Sequence, residues 1–289
     1  MLALIAGRGR LPQAVAGAQV ERPLVAALDG FLPDDLTPDM TFRLETLGSL
    51  FETLRARGVT RVCLCGAIRR PQIDPSRIDA ATAPLVPRLT EALGQGDDGA
   101  LRRVMALFEE AGFALLAAHE AAPSLLPDPG VPTRTQPPAI AKTEARVGDG
   151  VLAQQGAADL GQACVIRGTE VLAQEDDAGT DAMLARLGQD AGAGDPVTWL
   201  MDTGAEVLDD TADWLSGRET RSGMLYKGPK PGQDRRADLP AIGPGTAKAA
   251  AEAGLAGLCI EAGGVMVLDR DETLRRLDRA GLYLWVRAR

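Results

Sequence analysis

Apolar runs and amphipathic stretches alternate from the first residue. "MLALIAG" (1–7) has no polar break and reads as a buried strand. The turn Gly7-Arg8-Gly9 follows, then a helix from Leu11-Pro12, where a proline's missing N–H matters least. "PLVAALDG" (23–30) is a second strand, "LGSLFETLRARG" (47–58) a helix closed by Gly58, and "VTRVCLCGAI" (59–68) a third strand. Leu101, Val104, Met105 and Phe108 recur at helical spacing, and "FALLAAHE" (113–120) after them reads as a short strand. Strands separated by helices predict a parallel sheet with helical crossovers, so the expected fold class is α/β with a Rossmann-like first domain.

Six prolines then fall between 123 and 138, in "PSLLPDPGVPTRTQPP", which regular elements do not tolerate. This stretch is the expected linker between an N-terminal α/β domain (1–122) and a C-terminal α/β domain (139–289). The second domain opens on a polar helix and the hairpin-like "QACVIRGTEVLAQE" (162–175), followed by the helix "TDAMLARLG" (180–188). "TAKAAAEAG" (246–254) is an Ala-rich helix, and "LAGLCIEA", "GVMVLD" and "LYLWVRA" read as strands. A helix lies between the last two, with Asp269 and Glu272 spaced as a capping box.

Composition narrows the function. At 289 residues, two domains are expected. A net charge of −9 argues against nucleic acid as a partner, because phosphate backbones are bound by basic surfaces. The four cysteines sit in apolar runs without metal-ligand spacing and read as reduced core residues of a cytoplasmic protein. Neither a signal peptide nor an apolar run of membrane-spanning length, about 20 residues, is read in the sequence.

Several groups offer chemistry. The turn in "GRGRLP" (7–12) reads equally as a phosphate cradle and as a plain strand-to-helix turn, and Pro12 stands where a dinucleotide fingerprint has its third glycine. The lone histidine, His119, reads better as a structural residue than as an acid or base. Glu175, Asp176, Asp177 and Asp181 surround a glycine turn; they are open to two readings, a Mg²⁺ site or a solvated turn capped by Thr180 or Asp181. In this acidic chain, Arg218, Arg221, Lys227, Lys230, Arg235 and Arg236 cluster against only Glu219 and Asp234. The cluster is open to two readings, a solvated charged loop or an anion site, which basic residues among Gly and Pro suit; Asp234 and Asp238 would place carboxylates beside such a site, a combination that metal-assisted phosphoryl chemistry requires.

"KGPKPGQDRRADLPAIGPGT" (227–246) resembles the signature of the UDP-2,3-diacylglucosamine pyrophosphatases of the LpxI type. The resemblance extends, in family order, to "LIAGRGRLP", "GAIRRP", "GDDGALRRV", "AHE", "AGTDAML" and "AGLAGLCIEAGG". Two positions depart from the pattern: Ala178 where the family commonly has Glu, and Arg8 where it often has Gly.

The resemblance implies two α/β domains, a homodimer, and hydrolysis of UDP-2,3-diacylglucosamine to UMP and 2,3-diacylglucosamine 1-phosphate in lipid A biosynthesis. It implies a divalent cation, Mg²⁺, and a cytoplasmic enzyme in peripheral contact with the inner membrane, with a glycolipid nucleotide as its small-molecule substrate. Carried onto this sequence, it makes Asp238, Lys227 and Arg235 the expected catalytic residues. Gly7, Gly9, Leu11, Thr180, Lys230, Gln233 and Arg236 are expected to bind substrate, and Asp238 and Asp181 to hold the metal. The alternative is a nucleotide-sugar-binding protein without hydrolase activity; the incomplete glycine pattern disfavours a dinucleotide-dependent oxidoreductase.

Overall fold

The structure, a computed structural model, describes residues 1–68, 72–94, 97–157, 161–192, 221–230, 234–236 and 239–288. Contacts divide the chain into two units, Met1–Leu125 with Gln233–Leu239, and Leu126–Gly232 with Pro240–Arg289.

The first unit holds β1 (Leu2–Ala6), β2 (Leu24–Leu28), β3 (Met40–Phe42), β4 (Arg61–Cys65) and β5 (Ala114–Leu115) in one sheet of order β3-β2-β1-β4-β5. Every pairing in it is parallel, as the alternation of strands and helices predicts. β1 and β2 are buried along their whole length, consistent with runs that carry no polar residue. The helices are α1 (Leu11–Gly17), α2 (Leu47–Ala56), α3 (Val86–Leu93), α4 (Asp97–Glu110) and α5 (Ala118–Ala121). Leu47, Leu50, Phe51 and Leu54 of α2 pack with Leu107 and Phe108 of α4, and the rings of Phe51 and Phe108 meet edge-on at 4.9 Å.

The run expected as one strand over 113–120 yields only the two residues of β5 and then turns into α5. The Glu120 carboxylate accepts the Ala117 N–H at 2.8 Å, a local cap that diverts the chain into a helical turn. β3 escapes the pattern because only Phe42 of its three residues is buried.

The second unit contains β6 (Ala163–Arg167), β7 (Glu170–Gln174), β8 (Met224–Lys227), β9 (Ala241–Ile242), β10 (Gly257–Glu261), β11 (Met266–Val267) and β12 (Tyr283–Arg287). The main sheet runs β12-β10-β8-β6-β7; β8, β10 and β12 are parallel, and β6 is antiparallel to both neighbours. Its helices are α6 (Ala141–Ala157), α7 (Thr180–Gly192), α8 (Pro244–Glu252) and α9 (Arg270–Ala280). Alternation along the strands separates two cores. Leu225, Leu258 and Leu284 meet α7, α8 and α9 through Leu184, Ala250 and Leu277. Met224, Tyr226, Cys259 and Tyr283 meet α6 through Ala145 and Leu152.

"GVMVLD" does not join that sheet; Met266–Val267 pairs with Ala241–Ile242 in a separate two-stranded sheet. The capping box expected at Asp269 and Glu272 does not form. Asp269 takes a left-handed backbone (φ 43°) without a side-chain cap, and Glu272 turns to Arg275 and Arg276 on its own helix.

The Pro-rich run differs from a free linker. From Leu126 onward it groups with the second unit, where Gly130 exchanges two backbone hydrogen bonds with Val286 at 2.9 and 2.8 Å. The Leu284 N–H donates to Thr133 Oγ1, and the Arg134 N–H to Asp278. Prolines forbid a long ladder, but a single glycine between Pro129 and Val131 supplies both donor and acceptor, which covers part of the open edge of β12. All four cysteines are buried and unbridged. No helix among the described residues is long and apolar enough to cross a membrane.

Candidate functional site

In the first unit the strand order reverses between β1 and β4, the place where open parallel sheets leave a ligand crevice at their carboxyl ends. Here the protein's own backbone occupies that place. The Gly7 N–H donates to the Cys65 carbonyl at 2.8 Å, and Arg8 and Ala67 exchange N–H···O bonds at 2.9 Å each. A Cβ on Gly7 would stand 2.7 Å from the Ala67 oxygen, and one on Gly66 would stand 2.6 Å from the Gly7 oxygen. The two glycines are therefore required for close backbone contact, and the amides of residues 7 and 8, expected to face an anion, are engaged internally. Arg8 donates to the Gly30 carbonyl at 2.8 Å and lies over the Phe31 ring. Gly9 adopts φ +90° with open space where a Cβ would be, and Leu11 opens the seven-residue α1.

The signature loop contributes Asp234, Arg235 and Arg236 to the first unit. Arg236 donates to both Asp234 oxygens, at 3.1 and 2.9 Å, and to Glu109 of α4 at 3.0 Å. The Arg236 guanidinium holds the Asp234 carboxyl below the usual range. Arg236 thus pairs with Asp234 of its own loop and ties that loop to α4 through Glu109. Arg235 is exposed. Gln233 and Asp238 lie outside the described residues, as do Arg218 and Glu219 of the basic cluster.

The second unit builds its site at the carboxyl ends of β8 and β10. Lys227 closes β8 and is 8% exposed, although lysine is among the residues least often buried. Its Nζ donates to Thr180 Oγ1 at 2.7 Å, and that hydroxyl donates to Glu175 Oε1 at 2.5 Å. The other oxygen, Glu175 Oε2, accepts the Gln162 N–H at 2.6 Å. A buried ammonium is costly unless hydrogen-bonded and compensated, and this chain leads from it to a carboxylate. Gly228 and Pro229 beyond Lys227 are buried, and Lys230 is half-buried.

Glu261 closes β10 and is also buried. A Cβ on Gly264 would meet its Oε1 at 2.9 Å, so that glycine leaves this carboxylate its room.

Two acids of the turn before α7 have protein partners. Glu175 is engaged as above, and Asp176 accepts the Ala178 N–H at 3.0 Å and pairs with Arg186 at 2.8 Å. The Ala178 N–H and Arg186 hold Asp176 below the ordinary carboxyl range. Asp181, exposed in the first turn of α7, is the acid nearest Thr180 in sequence. Among the described residues no group of three Asp, Glu, His or Cys side chains is placed to hold a metal ion.

The structure therefore joins Lys227, Thr180 and Glu175 in one hydrogen-bonded chain, and buries Glu261 at the end of β10. Glu175 was legible as one of four acids, but nothing in its spacing distinguished it from its neighbours. Glu261 carried a usable signal, an acid ending the apolar run "LCI" where an α/β sheet presents its carboxyl edge.

Comparison with known proteins accounts for nearly the whole chain. Residues 1–125 match the LpxI N-terminal domain and residues 128–285 the LpxI C-terminal domain, a division that agrees with the break in contacts after Leu125. The UDP-2,3-diacylglucosamine pyrophosphatase LpxI of Caulobacter vibrioides is 34% identical over 289 residues, covering 98% of this chain and 96% of that protein. With both domain models matched in order and a full-length relative at this identity, the chain belongs to the LpxI family.

Proposed function

We propose that the protein hydrolyses the pyrophosphate of UDP-2,3-diacylglucosamine, releasing UMP and 2,3-diacylglucosamine 1-phosphate for lipid A biosynthesis. The observation that carries this reading is the buried Lys227 ammonium, oriented by Thr180 and Glu175 at the carboxyl edge of a parallel strand. The name of the Caulobacter relative supports the substrate. In the reaction, water's oxygen bonds to one phosphorus while the P–O bond to the bridging oxygen breaks, and that oxygen leaves on the other phosphate. Negative charge grows on the phosphoryl oxygens and on the leaving oxygen. An oriented cation in a low-dielectric setting stabilises charge that appears in the transition state, and Lys227 has this role in the proposal. Arg235 and Lys230 add positive charge along the loop that follows.

A divalent cation, Mg²⁺, held by Asp238 with Asp181, belongs to this proposal. Of these two, Asp181 lies among the described residues. Association as a homodimer and contact with the cytoplasmic face of the inner membrane accompany the reading; sedimentation alone and with anionic vesicles tests both. Hydrolysis is tested by chromatography of the nucleotide released from UDP-2,3-diacylglucosamine, with Mg²⁺ and with chelator. Mg²⁺-dependent UMP is the expected result, and retention of the intact UDP-sugar would instead indicate a binding protein.

A further inference from the structure

We infer that Glu175 is a positioning residue for Lys227, acting through the Thr180 hydroxyl; the inference rests on the hydrolase reading of the same site. A hydroxyl has one proton to donate and two lone pairs with which to accept. Thr180 Oγ1 accepts from Lys227 Nζ at 2.7 Å and gives its proton to Glu175 Oε1 at 2.5 Å. Glu175 therefore fixes which way the hydroxyl points and keeps a lone pair aimed at the ammonium. Without that acceptor the proton is free to rotate toward Nζ, and two donors then oppose each other.

Glu175 is itself held on several sides. Its Oε2 accepts the Gln162 N–H at 2.6 Å, its own N–H donates to the Ala163 carbonyl at 2.9 Å, and its carbonyl accepts from Gln155 Nε2 at 3.1 Å. A Cβ on Gly161 would fall 2.5 Å from the Glu175 Cβ, so the chain before β6 lies directly against this side chain. The connections also close a ring. The carbonyl of Gln162 accepts the N–H of Gly228, the residue after Lys227, at 3.1 Å. One dipeptide unit, Gly161-Gln162, thereby ties Glu175 to the start of the signature loop. The ammonium and the loop are fixed to the same frame, and Thr180 and Lys227 are both buried, where such bonds are strongest. A long, flexible lysine stem gains an oriented, buried partner from this arrangement.

The test is a double-mutant cycle on UMP release from UDP-2,3-diacylglucosamine, with kcat and KM measured separately and folding checked by thermal melting. Thr180→Val should lower kcat about 10- to 100-fold with little change in KM, the range set by one charge-assisted hydrogen bond. Thr180→Ser should restore most of the loss. Glu175→Gln, which places an amide donor toward either Gln162 N–H or the Thr180 hydroxyl, should lower kcat as Thr180→Val does. Combined with Lys227→Ala, neither change should slow the enzyme further, because the group being positioned is gone. Losses that multiply in the double variants, or wild-type kcat in Thr180→Val and Glu175→Gln, would overturn the inference while leaving the hydrolase reading intact. If Thr180→Val does not fold, the Glu175→Gln cycle decides alone. Absence of UMP from the wild type removes the hydrolase reading and the inference together, and an unimpaired Lys227→Ala removes the inference only.

Discussion

Replacing Gly7 by Ala separates two accounts of the glycine turn. If backbone contact at the β1–β4 junction requires the glycine, the added methyl must displace the 66–68 loop. The new Cβ would stand 2.7 Å from the Ala67 oxygen, 2.8 Å from Ile68 Cγ1 and 2.9 Å from the Ala67 carbonyl carbon. Two of those three atoms are backbone and cannot rotate away. Overpacking of this kind costs about 1–3 kcal/mol. The same displacement strains the paired Arg8–Ala67 hydrogen bonds, each worth about 1 kcal/mol net. A total of about 2–4 kcal/mol follows, and for a unit of this size each kcal/mol lowers the melting temperature by about 3–5 °C. Scanning calorimetry should therefore show the Gly7→Ala transition about 6–20 °C below wild type, with KM of the folded fraction little altered. Gly9→Ala, strained by its positive φ but free of clashes, should fall less. A Gly7→Ala protein that melts with the wild type yet loses substrate affinity would refute the steric account and restore the turn as an anion cradle.

Further outcomes follow from other contacts. Arg235→Ala should slow UMP release about 10-fold or more without lowering stability, whereas Arg236→Ala should free the loop from Glu109 and Asp234; faster proteolysis of that loop, alongside kinetics of both variants, checks the division. Asp39, Asp79 and Glu45 are each raised by burial but held below their ordinary range by stronger opposition: Val25 N–H and Arg22, Ser49 and Thr82, and Asp74 N–H and Arg43 respectively. Their folded-state values are depressed, so the stability they contribute is present above the unfolded values near pH 4 and is lost as pH falls through the folded ones. Melting temperatures between pH 6 and pH 3 should drop steeply, and less so in Asp39→Asn; a flat profile would refute this. Burial raises the Cys164 and Cys259 thiols to about 12, so thiol reagents at pH 8 should label both only after unfolding. Trypsin should cut slowly after Arg134 in the wild type and faster in Thr133→Val, which loses the bond to Leu284.

Much of the fold was legible because burial on both faces of a parallel sheet demands uninterrupted apolar runs, and β1, β2, β4 and β10 have them. The two-residue β9 lacks any such run, β11 has one in "GVMVLD" but pairs outside the main sheet, and β3 is defined by pairing with β2 rather than by its own residues. The Pro-rich segment shows the same limit: prolines announce irregular backbone but not that Gly130 and Thr133 reach β12 across more than 150 positions. At the site, charge clustering directs attention to Lys227, but its buried hydrogen bond to Thr180 is visible only in the structure. Composition cannot show that Arg236 pairs with both Asp234 and Glu109. The same holds for Glu175: its role comes from where the β6–β7 hairpin and α7 converge, which no local spacing encodes.

On the proposed function this chain breaks a pyrophosphate rather than merely holding a nucleotide sugar. Phosphorus-31 NMR of UDP-2,3-diacylglucosamine incubated with purified protein and Mg²⁺ reads it directly. The account predicts loss of the two coupled pyrophosphate resonances and growth of two phosphomonoester signals in equal amounts, UMP and the sugar 1-phosphate, with Asp238→Ala leaving the substrate spectrum unchanged. Pyrophosphate resonances that persist with wild-type protein, broadened by binding but never replaced, would contradict it.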